Sequence, residues 1–254
     1  MRTFVVGAAT VRVHATPAEL GEDAAAVAAD VIGAAVAARG TANVMFATGN
    51  SQLAFLAALT ARPDVGWSQV VGFHMDEYVG LGSDHPASFR RYLRERVVER
   101  VRPGAFHYLD GDAADPVAEC ARYAALLAEH PLDLCCLGIG ENGHLAFNDP
   151  PVADFDDPRA VKVVELDERC RAQQVGEGHF AALEAVPPQA LTVTIPALLA
   201  AGRVLAVVPE ARKRDPVRAA LTGPVTTACP ASILRTRGTV TIELDEESAA
   251  GIAS

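Results

Sequence analysis

Asp133-Leu134-Cys135-Cys136-Leu137-Gly138-Ile139-Gly140-Glu141-Asn142-Gly143-His144 decides how this chain is read: an apolar run that breaks into glycines and ends on a histidine. A continuous apolar run from 133 to 139 is the pattern of a strand buried on both faces, as in a parallel sheet covered by helices. Working outward, short apolar runs at 11–14, 43–48, 69–75, 161–166, 191–195 and 204–208 read as further strands. Helical stretches lie among them at 17–39, 51–60, 87–99, 116–129 and 210–221, the first with Thr16 as N-cap and Pro17 at the first helical position. Residues 232–234 and 240–243 are expected to finish the sheet. Strands alternating with helices predict an α/β chain, a Rossmann-like three-layer α/β/α arrangement with a mainly parallel sheet. No linker, charge block or repeat divides residues 1–254, so one domain is expected. The longest irregular stretch, 150–158, is rich in Pro and Asp and reads as a functional segment or a plain surface loop.

Composition narrows the function classes. Half of the 254 residues are hydrophobic, and the net charge of −10 argues against a nucleic-acid-binding surface, which needs a basic stripe. It leaves room for a small anionic substrate, because a pocket sets its own potential. Five cysteines, with no CxxC pair, suggest a reducing compartment. The N-terminus lacks the apolar core of a signal peptide, and the Ala-rich 24–38 stretch is too short and too polar to span a membrane. A cytoplasmic protein without a membrane partner is expected.

Three polar clusters fall directly after expected strands, and in an open parallel sheet ligands bind beyond the carboxyl ends of the strands. Thr48-Gly49-Asn50-Ser51 is a turn into a helix start, which suits an anion such as phosphate; the alternative is a plain capping turn. Asp76-Glu77 places two carboxylates side by side, which tends to raise one pKa and suits a general base; the alternative is a turn Asp beside a solvated Glu. In Gly138 to Asp149, the glycines allow close backbone approach and His144 precedes a carboxylate, Asp149, that can orient it; the alternative is a glycine-rich turn. Neither a P-loop nor a dinucleotide fingerprint is present. His14, His85, His107, His130 and His179 have no companion motif and read as structural or surface residues. His74 is balanced between core and pocket, and Arg90, Arg91, Arg94 and Arg96 read as a solvated helix face with Glu95 and Glu99.

Met75-Asp76-Glu77-Tyr78-Val79-Gly80-Leu81, His85-Pro86-Ala87-Ser88-Phe89 and Asn142-Gly143-His144-x-Ala146-Phe147-Asn148-Asp149-Pro150 together resemble the glucosamine-6-phosphate deaminase family. The resemblance covers nearly the whole chain. The related 6-phosphogluconolactonases carry Asp-Glu-Arg and an Asp-Gly-His-Thr-Ala-Ser type loop; Tyr78 and Ala146-Phe147-Asn148 here favour the deaminase side. The resemblance implies a deaminase/ribose-phosphate-isomerase/CoA-transferase-like fold and a phosphorylated amino sugar as substrate. It implies no metal or organic cofactor, no nucleic acid partner, and compatibility with a homo-oligomer. It makes Asp76 the C2 base, His144 the ring-opening acid/base and Asp149, shorter than the family's usual Glu, its orienting carboxylate, with Asn142 positioning. Thr48, Gly49, Asn50, Ser51, Glu77, Gly140 and Lys213 are implied to bind substrate. Gln174 stands where the family has a phosphate-gripping arginine, with Arg171 as the nearby cation that would compensate. A different amino sugar, a lactonase-like hydrolysis and a non-catalytic sugar-phosphate sensor remain alternative readings.

Overall fold

The computed structural model describes residues 1–176 and 178–252. β1 (Arg2–Val6) and β2 (Ala9–His14) form a hairpin ahead of α1 (Pro17–Arg39). β3 (Ala42–Phe46) passes through a 3₁₀ turn, Asn50–Gln52, into α2 (Leu53–Thr60). Then come β4 (Val70–His74), β5 (Asp76–Tyr78), and α3 (Phe89–Leu93), which a π turn, Arg94–Val98, joins to α4 (Glu99–Val101). The middle of the chain supplies β6 (Ala105–His107), α5 (Pro116–Glu129), β7 (Leu134–Leu137), β8 (Val161–Glu165) and α6 (Glu168–Gly176). β9 (Gln189–Val193), α7 (Ile195–Leu199) and β10 (Arg203–Val208) follow, then α8 (Arg214–Thr222) and β11 (Val240–Asp245).

Eight strands form one sheet in the order β1-β2-β11-β10-β7-β3-β4-β6, parallel throughout except for the β1–β2 hairpin. The apolar run at 134–137 sits in its middle, and its side chains divide by strand period. Leu134 and Cys136 pack with α1 and α2 residues such as Ala28, Ile32 and Phe55, whereas Cys135 and Leu137 pack with Tyr123 of α5 and Val217 of α8. Both faces are covered, so no polar residue is tolerated in the run. Thr16 caps α1 as expected, its side chain accepting from the Glu19 N–H at 3.1 Å.

Three expectations need correction. The strands at 161–166 and 191–195 exist as β8 and β9, but β9 pairs antiparallel with β8 on one side and β5 on the other, in a separate three-stranded sheet. Residues 232–234 form a 3₁₀ turn, Pro230–Thr236, because the Ser232 hydroxyl both accepts from and donates to the Thr226 backbone, a local alternative to a strand ladder. Arg90 is buried, not solvated, and pairs with Asp112 at 2.7 Å while standing 3.5 Å from Glu77. Of the two readings of residues 150–158, the plain loop holds: none of them lines the cleft described below, and Lys162 donates to Val152 O at 2.6 Å and lies 3.1 Å from buried Asp157. Among the described residues no helix is long and apolar enough to cross a membrane.

Candidate active site

The chain runs outward through β3, β4 and β6, then returns to lay β7 on the other side of β3, and this reversal opens a crevice at the carboxyl ends of the strands. The segments leaving β3, β4, β7 and β10 line one solvent-open cleft. Thr48, Gly49, Asn50, Ser51, Asp76, Gly140, His144 and Lys213 all reach it. Asn142, Asp149 and Glu77 do not. Phe89 and Gln173 line it without having been anticipated, and His179, read from the sequence as structural or surface, lines it as well. His179 follows α6 with no local motif around it, so only the packing of that helix over the cleft reveals it.

Asp76 opens β5 and sits opposite Thr192 of β9, with Val193 N–H donating to Met75 O at 2.8 Å to hold the strand end in place. Asp76 is 7% exposed, and its buried Oδ1 has no hydrogen-bond partner among the described residues. Its pKa is raised well above the carboxylate range, first by burial and second by the charge of Glu77. Burial thus outweighs the like-charge effect expected from the sequence. A poorly solvated carboxyl open to a cleft is a competent proton shuttle.

Glu77, one residue on, points to the opposite face, as alternation in a strand requires. It is fully buried and accepts from Tyr78 N–H, the Ser88 hydroxyl, Phe89 N–H and Arg90 N–H, at 2.7 to 3.2 Å. The expected substrate contact is therefore corrected: Glu77 ties the start of α3 to β5, and this is what carries Phe89 to the cleft. His74, two residues before Asp76, belongs to the core: its Nε2 accepts from Leu109 N–H at 2.8 Å. Burial, then the charge of Arg90, push its pKa down to about 3, so it is neutral.

The 138–150 loop is built to present His144. The His144 N–H donates to Asn142 Oδ1 at 3.0 Å, and Asn142 Nδ2 donates to Asp149 Oδ1 at 2.8 Å, closing the loop on itself. Buried Asn148 donates to Leu145 O and Val193 O, both at 2.8 Å, fastening the loop to β9. His144 Nδ1 lies 2.8 Å from Asp149 Oδ1 in a bent approach that leaves Nδ1 without a well-aligned partner. The shortened carboxylate therefore does reach the ring. Burial acts to raise the Asp149 pKa, but the His144 contact and the Asn142 amide outweigh it, and the net shift is downward. Gly140 is required beneath the imidazole: a Cβ there would stand 2.2 Å from His144 Nε2. Ala146, also lining the cleft, holds φ at +51°, a strained conformation for a residue with a Cβ.

The 48–52 turn is anchored from two sides. Tyr92 donates to Gly49 O at 2.8 Å, and buried Gln52 donates to Val207 O of β10 at 3.1 Å. Gly49 takes φ +96°, which turns the chain so that a helix start, with N–H groups unpaired within the helix, faces the cleft. Glu210 is held at φ +83°, its N–H donating to Asp245 Oδ2 at 3.0 Å, and the 3₁₀ turn Ala211–Lys213 that follows brings buried Lys213 to the cleft. Gln174 of α6 lines it too, whereas Arg171 donates to Leu183 O and Val186 O and does not reach it. Arg171 therefore does not supply the missing guanidinium.

Two clusters among the described residues have donor sets that a cation could use: His144, Asp149 and Cys170, and His14, Asp23 and Glu243, each with ligand atoms within 4.8 Å of one another. In the first, burial and then Asp149 push the Cys170 pKa up, which keeps the thiol protonated. In the second, the Arg12 guanidinium already stands 2.8 Å from Asp23 and 3.6 Å from Glu243.

A family model described as glucosamine-6-phosphate isomerases/6-phosphogluconolactonase matches residues 15–242. A glucosamine-6-phosphate deaminase of Exiguobacterium sibiricum is 39% identical over 180 residues, spanning 71% of this chain and 69% of that protein. One from an Arthrobacter species is 35% identical over 233 residues, spanning 89% and 88%. A solved structure of a monomeric glucosamine-6-phosphate deaminase superposes with a TM-score of 0.86 at 31% identity, covering 95% of this chain and 99% of that one. A 6-phosphogluconolactonase from Shewanella baltica superposes with a TM-score of 0.77 at 20% identity over 95% and 97%, a likeness of fold alone.

Proposed function

The chain belongs to the glucosamine-6-phosphate isomerase and 6-phosphogluconolactonase family, and from that premise we propose that it converts glucosamine 6-phosphate and water to fructose 6-phosphate and ammonia. The observation that carries this reading is that a buried carboxyl with a raised pKa, Asp76, and an imidazole, His144, share one cleft with an anion-suited turn and a lysine. The substrate phosphate rests on the 48–51 turn and Lys213. His144, oriented by Asp149, moves the proton between the ring oxygen and the C1 oxygen that opens the sugar. Ionised Asp76 then takes the C2 proton; the C–H electrons form the C1–C2 double bond, and the C1 oxygen gains a proton, giving an enolamine. Asp76 returns its proton to C1, the nitrogen lone pair forms a C2 iminium, and water converts this to the ketone with release of ammonia. Each positioned acid or base contributes on the order of 10²–10⁴-fold. The five free cysteines fit a reducing, cytoplasmic setting for this chemistry.

The test is an ammonia-release assay on glucosamine 6-phosphate run beside hydrolysis of 6-phosphogluconolactone. Ammonia and fructose 6-phosphate in equal amounts are expected. Lactone hydrolysis without ammonia would overturn the reading.

A further inference from the structure

We propose that Tyr78, which does not reach the cleft, positions Gln174, holding its amide at the cleft wall where the –NH2 end serves the substrate's phosphate; this rests on the deaminase reading above. The Gln174 side chain is 6% exposed and lines the cleft. Its Oε1 accepts from the Tyr78 hydroxyl at 2.7 Å. Tyr78 is fully buried, and its ring is wedged among Phe89, Phe147 and Phe180, with centroids 5.1 to 5.3 Å away. The phenol therefore approaches from behind the cleft wall and has no room to swing aside. With the oxygen end of the amide turned toward Tyr78, the nitrogen end is the one presented to the cleft.

The neighbouring amide follows the same logic. Gln173 Oε1 accepts from the Glu141 backbone N–H at 3.1 Å, and a backbone N–H can only donate, so chemistry alone assigns the oxygen to that side. Two adjacent glutamines of α6 thus spend their oxygens on protein donors, one backbone and one phenolic. Gln173 reversed would lose its bond, whereas Gln174 reversed could still donate to the phenolic oxygen but would point lone pairs at the anion. A neutral amide lacks the charge and the two-pronged fork of a guanidinium, so its contribution depends on being aimed. Tyr78 is a positioning residue: it acts on phosphate binding through Gln174 and takes no part in the proton transfers.

The test uses the intact protein and two readouts: steady-state ammonia release from glucosamine 6-phosphate, and calorimetric binding of inorganic phosphate, which needs no turnover. Tyr78→Phe keeps the ring and its packing while deleting the hydroxyl. It is expected to weaken inorganic phosphate binding and to raise KM by a similar factor, roughly three- to tenfold, the worth of one aimed hydrogen bond, with kcat within about twofold. Gln174→Glu, which turns acceptor oxygens on the phosphate, is expected to weaken phosphate more than Tyr78→Phe does. Gln174→Arg is expected to tighten it. Unchanged phosphate binding in Tyr78→Phe at an unchanged melting temperature would overturn the proposal, as would a fall in kcat with KM held. Absence of ammonia release by the unmodified protein would defeat the deaminase reading while the phosphate calorimetry still decided this one.

Discussion

Gly140→Ala isolates the geometric demand that the catalytic loop makes on His144. The added Cβ would stand 2.2 Å from Nε2 and 2.3 Å from both Cδ2 and Cε1 of the imidazole, and ordinary contact begins near 3.4 Å. The ring must therefore retreat by the difference, about 1.2 Å, or the loop must deform by as much. Gly140 does not hold a left-handed φ, so alanine brings no backbone penalty of its own. The retreat is opposed on the far side by Asp149, already 2.8 Å from Nδ1. A misplacement of about 1 Å at a reacting group costs on the order of 10²-fold in rate, and a loss of that size in kcat is expected with KM little changed, because the 48–51 turn and Lys213 are untouched. The assay is steady-state ammonia release with a melting curve on the same sample. Gly82→Ala serves as the control, since its nearest neighbour would be a side-chain oxygen of Asp112 at 3.6 Å. Gly140→Ala with kcat within about threefold of the parent, where a loss near 10²-fold is expected, would refute the reasoning.

Asp76→Asn should abolish ammonia release without weakening the fold. The Asp76 pKa is raised in the folded protein by burial and then by Glu77, so over the window above the unfolded value the folded state holds a proton that the unfolded chain releases. Stability from this group is present below that window and falls as pH rises through it. The variant should therefore melt above the parent at alkaline pH, with the gap closing in acid; a gap that widens in acid would sink the argument. Glu77→Ala strands three backbone N–H groups; urea unfolding should show a loss of about 3–5 kcal/mol, at about 1–3 kcal/mol for each buried donor left unsatisfied, and a change under about 1 kcal/mol would mean that Glu77 does not carry the α3 junction. Asp149→Asn removes the charge that faces His144, and kcat should fall on the order of 10²-fold. Because the Asp149 pKa is lowered in the fold, its stabilising contribution is present above the unfolded value and lost as pH falls through the folded one. The variant's stability deficit should accordingly shrink in acid, and pH-resolved melting curves check that.

The apolar run at 134–137 and the glycines after it were sufficient to place a buried parallel strand and the loop beyond it, because a strand covered on both faces admits no polar residue and the loop's turns admit little besides glycine. Thr48 to Ser51, Asp76 and the loop that carries Gly140 and His144 were legible for a related reason: each cluster leaves the end of a strand, so chain order puts them at one edge of the sheet, whereas Lys213 was implied only by the family resemblance. Only the tertiary structure decided which way the neighbours of these residues face. It turned Glu77 into a helix anchor, sent Arg90 into the interior, took Arg171 away to the backbone at Leu183, and brought Gln173 and Gln174 of α6, with His179 beyond it, over the cleft, where the resemblance had pointed to Gln174 alone. It also split off β5, β8 and β9 into a second sheet. Local sequence fixes strand ends through backbone sterics and burial, whereas the partner of a side chain such as Gln174 lies 96 residues away at Tyr78 and is set only when the elements pack.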